Sequence, residues 1–533
     1  MAWSLGDDYD VVVIGAGLGG LAAAATLTTA GARVLVLEQH NVPGGFATSF
    51  VRGRFEFEAS LHELSGVGPA AQPGAVRRFL EDELGVHVDW CAVPEAYRLI
   101  LTDKGVDARL PFGVEAFIDA VERAVPGSRL SVTRYIELCR DVAHALRVLA
   151  TLGPSPSPGE VVKRMQRLAR GGARGGDVTL ALRRAGAFLR TLGRTVDDVT
   201  SEMALPPGAV DLLYPYWCYL GIPTSRLDFI IWAGMLVEYL ELGAYVPRLR
   251  SQGLSEAIAE RIRARGGRIE FGTRVERILV RDGHVEGVET SAGDRIRVGQ
   301  VISNATPTTV YATLIQPPSA SPDRARRLVN ARRAGASAFA VYLGLDASPD
   351  ELGIEDYGYM IAPHMNTDLL YASAGRLEVP EAQATICLNR AVPDCSPPGT
   401  TILSITALFK PGVWDQVAPA DHVRVKNRLA AGLVRNFEQA TGVSIQPHIE
   451  EVEVATPVTF ARYAAAPRGS IYGYELDPWD SVIPRALAAP GEQFVRGLTF
   501  AGGHAALAHG FSSALLSGRE AARSVMRRLE VTA

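Results

Sequence analysis

The sequence predicts an α/β fold: a discontinuous Rossmann-type domain joined to a second, α+β domain of mixed sheet and helices. Three observations carry this. Tyr9-Asp10-Val11-Val12-Val13-Ile14 is a short β-branched run that ends at a glycine, the pattern of a buried strand. Gly15-Ala16-Gly17-Leu18-Gly19-Gly20 follows at once and opens an alanine-rich helix over Leu21 to Ala30, which Gly31 closes. Arg33-Val34-Leu35-Val36-Leu37 reads as a second strand with an acid, Glu38, at its end.

Each residue of this unit has a physical task. Gly15 permits the tight turn, Gly17 lets backbone approach a pyrophosphate, and Gly20 lets the helix pack on the strand. Ala16, Leu18 and Gly19 complete the loop, and the helix N-terminus offers free N–H groups to phosphates. Glu38 stands 18 residues after Gly20, close to the spacing at which an acid reaches ribose hydroxyls. The predicted ligand is a dinucleotide.

The chain has 533 residues, more than the roughly 250–300 that one core organises, so two interlocked domains are expected. A net charge of -4 gives no reason to expect nucleic acid as a partner. Five scattered cysteines with no CxxC pair argue against a disulfide framework or a metal site and suit a reducing, cytoplasmic compartment. Val11 to Ala32 is uncharged but holds five glycines and follows Asp7, Asp8 and Asp10. It therefore reads as a nucleotide-binding unit, not as a signal peptide or a membrane span.

The next segments point to the cofactor. Glu38-Gln39-His40-Asn41-Val42-Pro43-Gly44-Gly45-Phe46-Ala47 resembles the acid-to-paired-glycine continuation of the large FAD family that contains amine oxidases and phytoene desaturases. In that family the paired glycines pass close to the flavin. Ala501-Gly502-Gly503, then His509-Gly510-Phe511-Ser512 opening a last helix, is similar to its closing motif, where a helix N-terminus faces the flavin pyrimidine. The resemblance further implies that Val275 binds adenine through its backbone. It implies FAD, held non-covalently since no cysteine lies in these motifs. No second GxGxxG follows a strand, so electrons are expected to reach oxygen, a quinone or another small acceptor.

Tyr245-Val246-Pro247-Arg248, Ser303-Asn304-Ala305-Thr306-Pro307, Arg462-Tyr463 and Pro467 to Glu475 resemble the phytoene desaturase, carotenoid isomerase and retinol saturase branch. That implies an oxidoreductase acting on C–C bonds of an apolar polyene, isoprenoid or lipid-like intermediate by desaturation, saturation or flavin-assisted isomerisation. An amine or amino-acid oxidase is the alternative. A flavin-free escort protein of the Rab escort type is the remote one, since its nucleotide motif is degraded and this one is intact. Two departures bear on the substrate: His504 is followed by Ala505-Ala506 instead of Pro-Gly, and Glu58 to Glu63 replaces an Asp-x-Gly strand.

His62, Glu63 and His509 are the candidate catalytic groups, each beside a flavin motif; His62 reads equally as a satisfied structural residue. Arg468 and Tyr472 are candidates to face the flavin. Tyr214, Tyr216, Trp217 and Tyr219 suit either a tunnel wall or plain core. The FAD domain is expected over 1–75, 245–310 and 495–533. The substrate domain is expected over 76–244 and 311–494, with a helical part at about 115–235. Glu160 to Thr195 carries nine basic residues against two acids, which reads as a peripheral membrane surface or as a solvated helical face.

Overall fold

The computed structural model describes residues 9–150, 178–488, 493–505, 507 and 509–532. The strand β1, Val11–Ile14, is wholly buried. It pairs in parallel with β2, Val34–Leu37, on one side and with Val301–Ser303 on the other. Arg268–Glu270 and Leu498–Phe500 complete a five-stranded parallel sheet. Strands from three distant stretches thus share one sheet, and their β-branched runs suit burial on both faces. The helix α1, Leu18–Thr29, covers one face. The C-terminal helix Phe511–Thr532 crosses it so closely that a Cβ on Gly518 would stand 2.2 Å from the Gly19 carbonyl oxygen.

A four-stranded sheet runs Arg295–Arg297, His284–Thr290, Val275–Arg281 and Ile315–Gln316. The third sheet has seven strands. At its centre the apolar runs expected near 336–345 and 400–408 form Ser337–Leu345 and Thr401–Phe409, paired antiparallel along their whole length. Side chains alternate between faces. Phe339, Val341 and Leu343 enter one core against Leu429, Leu433 and Phe437 of the helix His422–Thr441. Ala338 and Ala340 face the other way, with Thr406 beside Ala340. Small residues on that face leave a space, roofed by helices that include Arg129–Ala150, Val178–Thr191 and Phe229–Leu242.

The last of these helices is capped by the Asp228 carboxylate, which accepts from the N–H groups of Ile230 and Ile231 at 2.8 and 3.3 Å. Its Trp232 indole donates to the Tyr135 hydroxyl at 2.8 Å inside the core. Among the described residues no helix is long and apolar enough to cross a membrane. Of the basic stripe, Lys163, Arg164, Arg167, Arg170 and Arg174 lie outside the described residues. Arg183 and Arg184 reach Asp141 on the neighbouring helix, and Arg194 pairs with Glu202.

Candidate active site

The site is built where the glycine loop, the paired glycines and the C-terminal turn meet. Gly15 has φ +92°, a conformation that favours glycine. Gly17 caps α1 without a side-chain hydrogen bond, and the first turn holds no acid. The leading N–H groups of the helix are therefore left to a ligand. A Cβ on Gly20 would fall 2.0 Å from the Gly15 carbonyl oxygen, so Gly20 sets the close helix–strand contact. A Cβ on Gly17 would fall 2.5 Å from the Asn304 side-chain nitrogen, and one on Gly19 would fall 2.5 Å from the Gly502 nitrogen. Both glycines thus also make room for protein. Asn304, which the motif search did not single out as a site residue, sits among Gly15, Gly17, Gly19 and Gly502.

Glu38 is buried and lines the cavity. Its carboxylate accepts from the Ala16 N–H at 2.6 Å and from the His40 N–H at 2.8 Å. The acid assigned to ribose therefore also pins the glycine loop. The Gly44 N–H donates to the Ala16 carbonyl at 2.8 Å, which docks the paired-glycine turn on the first loop. Gln39, Gly45, Phe46 and Ala47 line the same cavity. Gly272 and Thr273 donate to the carbonyls of His40 and Glu38 at 2.9 and 2.8 Å, which brings Val275 to the cavity wall. Gly502 abuts α1 at Gly19, while Gly503 packs against His509. Around a Cβ on Gly510 there is open space, and Phe511 and Ser512 begin the last helix facing the cavity. Ala16 and Gly20 are structural members of the loop and not part of the wall.

The strand Phe55–Glu58 ends before His62 and Glu63, so these two sit on an irregular segment and not on the strand expected for them. Backbone ties hold that segment. The Tyr342 hydroxyl donates to the Ala59 carbonyl at 2.5 Å, the Tyr357 hydroxyl donates to the His62 carbonyl, and Leu64 exchanges hydrogen bonds with Tyr245. His62 Nε2 lies 3.1 Å from the Thr406 hydroxyl, and burial pulls its pKa down to about 4. Glu63 Oε1 has no hydrogen-bond partner. Burial pushes its carboxyl up to about 8, against the Tyr219 and Tyr216 hydroxyls and with Glu95 adding to the rise. His509 stacks against Tyr472 with ring centroids 4.8 Å apart. Neither of its ring nitrogens makes a well-formed hydrogen bond, although carbonyls of Tyr219 and Tyr472 lie near. Burial first, then the Arg485 charge, brings it down to about 3.

All three candidates and Tyr472 line one cavity. Arg468 does not: its side chain is 63% exposed and pairs with Asp415 across the surface, so its expected place at the flavin is corrected. Of the aromatic group, Tyr214, Tyr216 and Trp217 are core, with Tyr216 stacked on Tyr239 at 4.7 Å, while Tyr219 reaches the cavity. The cavity has a volume of about 2060 Å³, beyond the ~300–1,000 Å³ that serves one small ligand. It has room for a dinucleotide and a second molecule. The uncapped helix, the glycine crossing and the open side of Gly510 fit FAD. When bound, the flavin supplies two-electron redox chemistry.

Residues 18–526 match the family described as flavin containing amine oxidoreductase. The chain belongs to that family: it is an FAD-dependent oxidoreductase. The all-trans-retinol 13,14-reductase of Danio rerio is 27% identical over 504 residues, covering 90% of this chain and 79% of that protein. A hydroxyneurosporene desaturase of Rhodobacter capsulatus is 26% identical, covering 97% of this chain and 98% of that one. A solved oxidoreductase from Methanosarcina mazei shares the fold, with a TM-score of 0.61 at 17% identity over 97% of this chain and 99% of its own. The branch suggested by the sequence motifs is that of these relatives.

Proposed function

We propose that the protein adds hydrogen to, or isomerises, C=C bonds of a long apolar polyene, isoprenoid or lipid-like molecule. The observation that carries this is the cavity. Beyond the dinucleotide motifs it is lined by Ala185, Phe188, Ile231, Met235 and Leu242, a channel suited to an apolar chain. FAD is read as lying with its diphosphate at Gly15 to Gly20, its ribose at Glu38 and its flavin between Gly44-Gly45 and Gly510-Phe511-Ser512. The two-domain division at 1–75, 245–310 and 495–533 against the remainder belongs to this reading.

The state of the side chains supports direction. At neutral pH Glu63 holds a proton, while His62 and His509 are neutral. Glu63 can therefore donate a proton to one carbon as hydride reaches the other. Neither histidine is a strong base, so abstraction from a saturated C–C bond is less well served. The names of the relatives, a reductase and a desaturase, span both directions. The proposal also includes a membrane contact at the helix Val178–Thr191. It exposes Leu182 and Leu189, with Leu192 just beyond it, while Ala185 and Phe188 face the cavity. Anaerobic incubation of the FAD-loaded, reduced protein with candidate polyenes tests the function. A product two hydrogens heavier, or of altered double-bond geometry, is expected. Unchanged polyenes across the panel, with turnover of an amine by the oxidised protein in air instead, would favour the oxidase alternative.

A further inference from the structure

A buried guanidinium in the cavity wall has no place in the account so far. Arg485 is 4% exposed and lines the cavity. Its Nε and Nη2 donate to the two Asp480 oxygens at 3.2 and 2.9 Å, and Nη2 also reaches the Glu475 carbonyl at 3.2 Å. Nη1 has no partner. Asp480 is not dedicated to Arg485, because the Arg332 Nε donates to the same carboxylate at 3.0 Å. Both guanidiniums also lie against the Tyr474 ring, 5.6 and 5.7 Å from its centroid. One edge of the Arg485 fork is thus clamped and the other is left over.

A buried hydrogen-bonding group left unsatisfied is costly, more so when charged. A protein keeps one where a ligand satisfies it. The surroundings narrow the ligand. His504 meets Tyr474 at 5.2 Å, and both His504 and His509 feel the Arg485 charge. Both are neutral, so neither supplies an anion. His509 precedes Gly510 and Phe511, at the flavin end of the cavity and not at the helix α1 that takes the diphosphate. Next to Arg485 on its own helix, Ala486 and Leu487 are apolar wall. The fixed Arg485 guanidinium, with Arg332 beside it and apolar wall at Ala486 and Leu487, matches the head of an amphipathic acid, since the guanidinium edge and a carboxylate are complementary in plane and charge.

We infer that Arg485 receives the carboxylate of an apolar acid, so that the preferred substrate is an acid and not a hydrocarbon or an alcohol. This rests on the cavity being the substrate channel. The same positive charge could instead serve a negative charge on the reduced flavin, and the test separates the two sources.

The experiment uses the FAD-loaded protein at pH 7.5 and follows the flavin absorbance on titration with two matched pairs: retinoic acid against retinol, and oleate against oleyl alcohol. Charge-assisted hydrogen bonding should favour at least one acid over its alcohol by about tenfold or more. In Arg485→Met that advantage should shrink below about threefold, with alcohol affinity, FAD content and flavin midpoint potential unchanged. The advantage should partly survive in Arg485→Lys, which keeps the charge. Should Arg485→Met fail to fold because Asp480 loses a partner, Arg485→Gln keeps a neutral donor to Asp480, leaves the Arg332 pair intact and is read the same way. Acids and alcohols binding alike in the parent, or no acid binding at all, overturns the inference. So does an acid preference that survives in Arg485→Met, or a variant whose only change is a lowered flavin potential. If oleate depends on Arg485 while neither retinoid binds, the carboxylate site stands and the polyene reading falls.

Discussion

At the scale of single residues, Glu38 shows how one side chain serves two partners. Its spacing after the glycine loop is legible in the sequence. Its hydrogen bonds to the Ala16 and His40 N–H groups are not, because they depend on how the loop folds back. Glu38→Ala should therefore weaken FAD binding by about 1.5–3 kcal/mol, the worth of charge-assisted hydrogen bonds. Titration of the apoprotein with FAD measures this, and an unchanged affinity would remove Glu38 from the ribose. Glu63 carries the proton argument. With its carboxyl raised to about 8, the proton is present below that pH and is lost as the pH rises through it. Hydride transfer from reduced flavin to substrate should then fall about tenfold per pH unit above 8. Glu63→Gln should slow the step by roughly 10²–10⁴-fold and abolish the pH limb. A parent rate that is flat from pH 7 to 10 would exclude Glu63 as donor. Asn304 was missed because no spacing rule marks it: it ends a strand within Ser303-Asn304-Ala305, and only the convergence of four glycines around it shows its place.

At the scale of elements, the strands and helices that carry the cofactor motifs were legible because each obeys a local rule: a β-branched run, a glycine turn, a closing glycine. The expected strand through His62 was not, since Tyr342, Tyr357 and Tyr245 tie that segment from remote parts of the chain. Burial in folded contacts also decided the aromatic group, sending Tyr216 and Trp217 into the core and Tyr219 to the cavity. The helix Val178–Thr191 turns Ala185 and Phe188 inward and leaves Leu182 and Leu189 out, 53% and 61% exposed. Its arginines are partly spent on Asp141, so apolar contact should matter as well as charge. The protein should sediment with anionic vesicles, less so at about 1 M salt, where the screening length falls to about 3 Å. Leu182→Glu with Leu189→Glu should reduce binding at any salt. Equal recovery with and without vesicles would leave this helix as a solvated face.

At the scale of the whole molecule, three histidines meet at the cavity, His509 buried and His62 and His504 half-buried, lowered to about 3, 4 and 4. A depressed histidine favours the fold above its unfolded pKa of about 6.5 and loses that contribution as pH falls toward the folded value. Each can cost up to about 1.4 kcal/mol per pH unit in that window. Glu58 and Glu63, raised to about 7 and 8, give the opposite slope over the same interval, so the histidine contribution is read as a difference: between pH 6.5 and 4.5 the holoprotein of His504→Phe should lose less melting temperature than the parent. Parallel melting curves for parent and His504→Phe across that interval would contradict a depressed pKa at His504. The parallel sheet, the glycine crossing of α1 with the last helix and the channel roof all enclose one volume, in which the proposed function places cofactor and apolar chain together. Rapid mixing of the anaerobically reduced holoprotein with a polyene, followed at the flavin absorbance, tests this most directly. The account predicts that the yellow oxidised spectrum returns in a single turnover, in step with a polyene product two hydrogens heavier. A flavin that stays bleached with every polyene offered, with no polyene saturated or changed in double-bond geometry, yet recovers with oxygen, would contradict it.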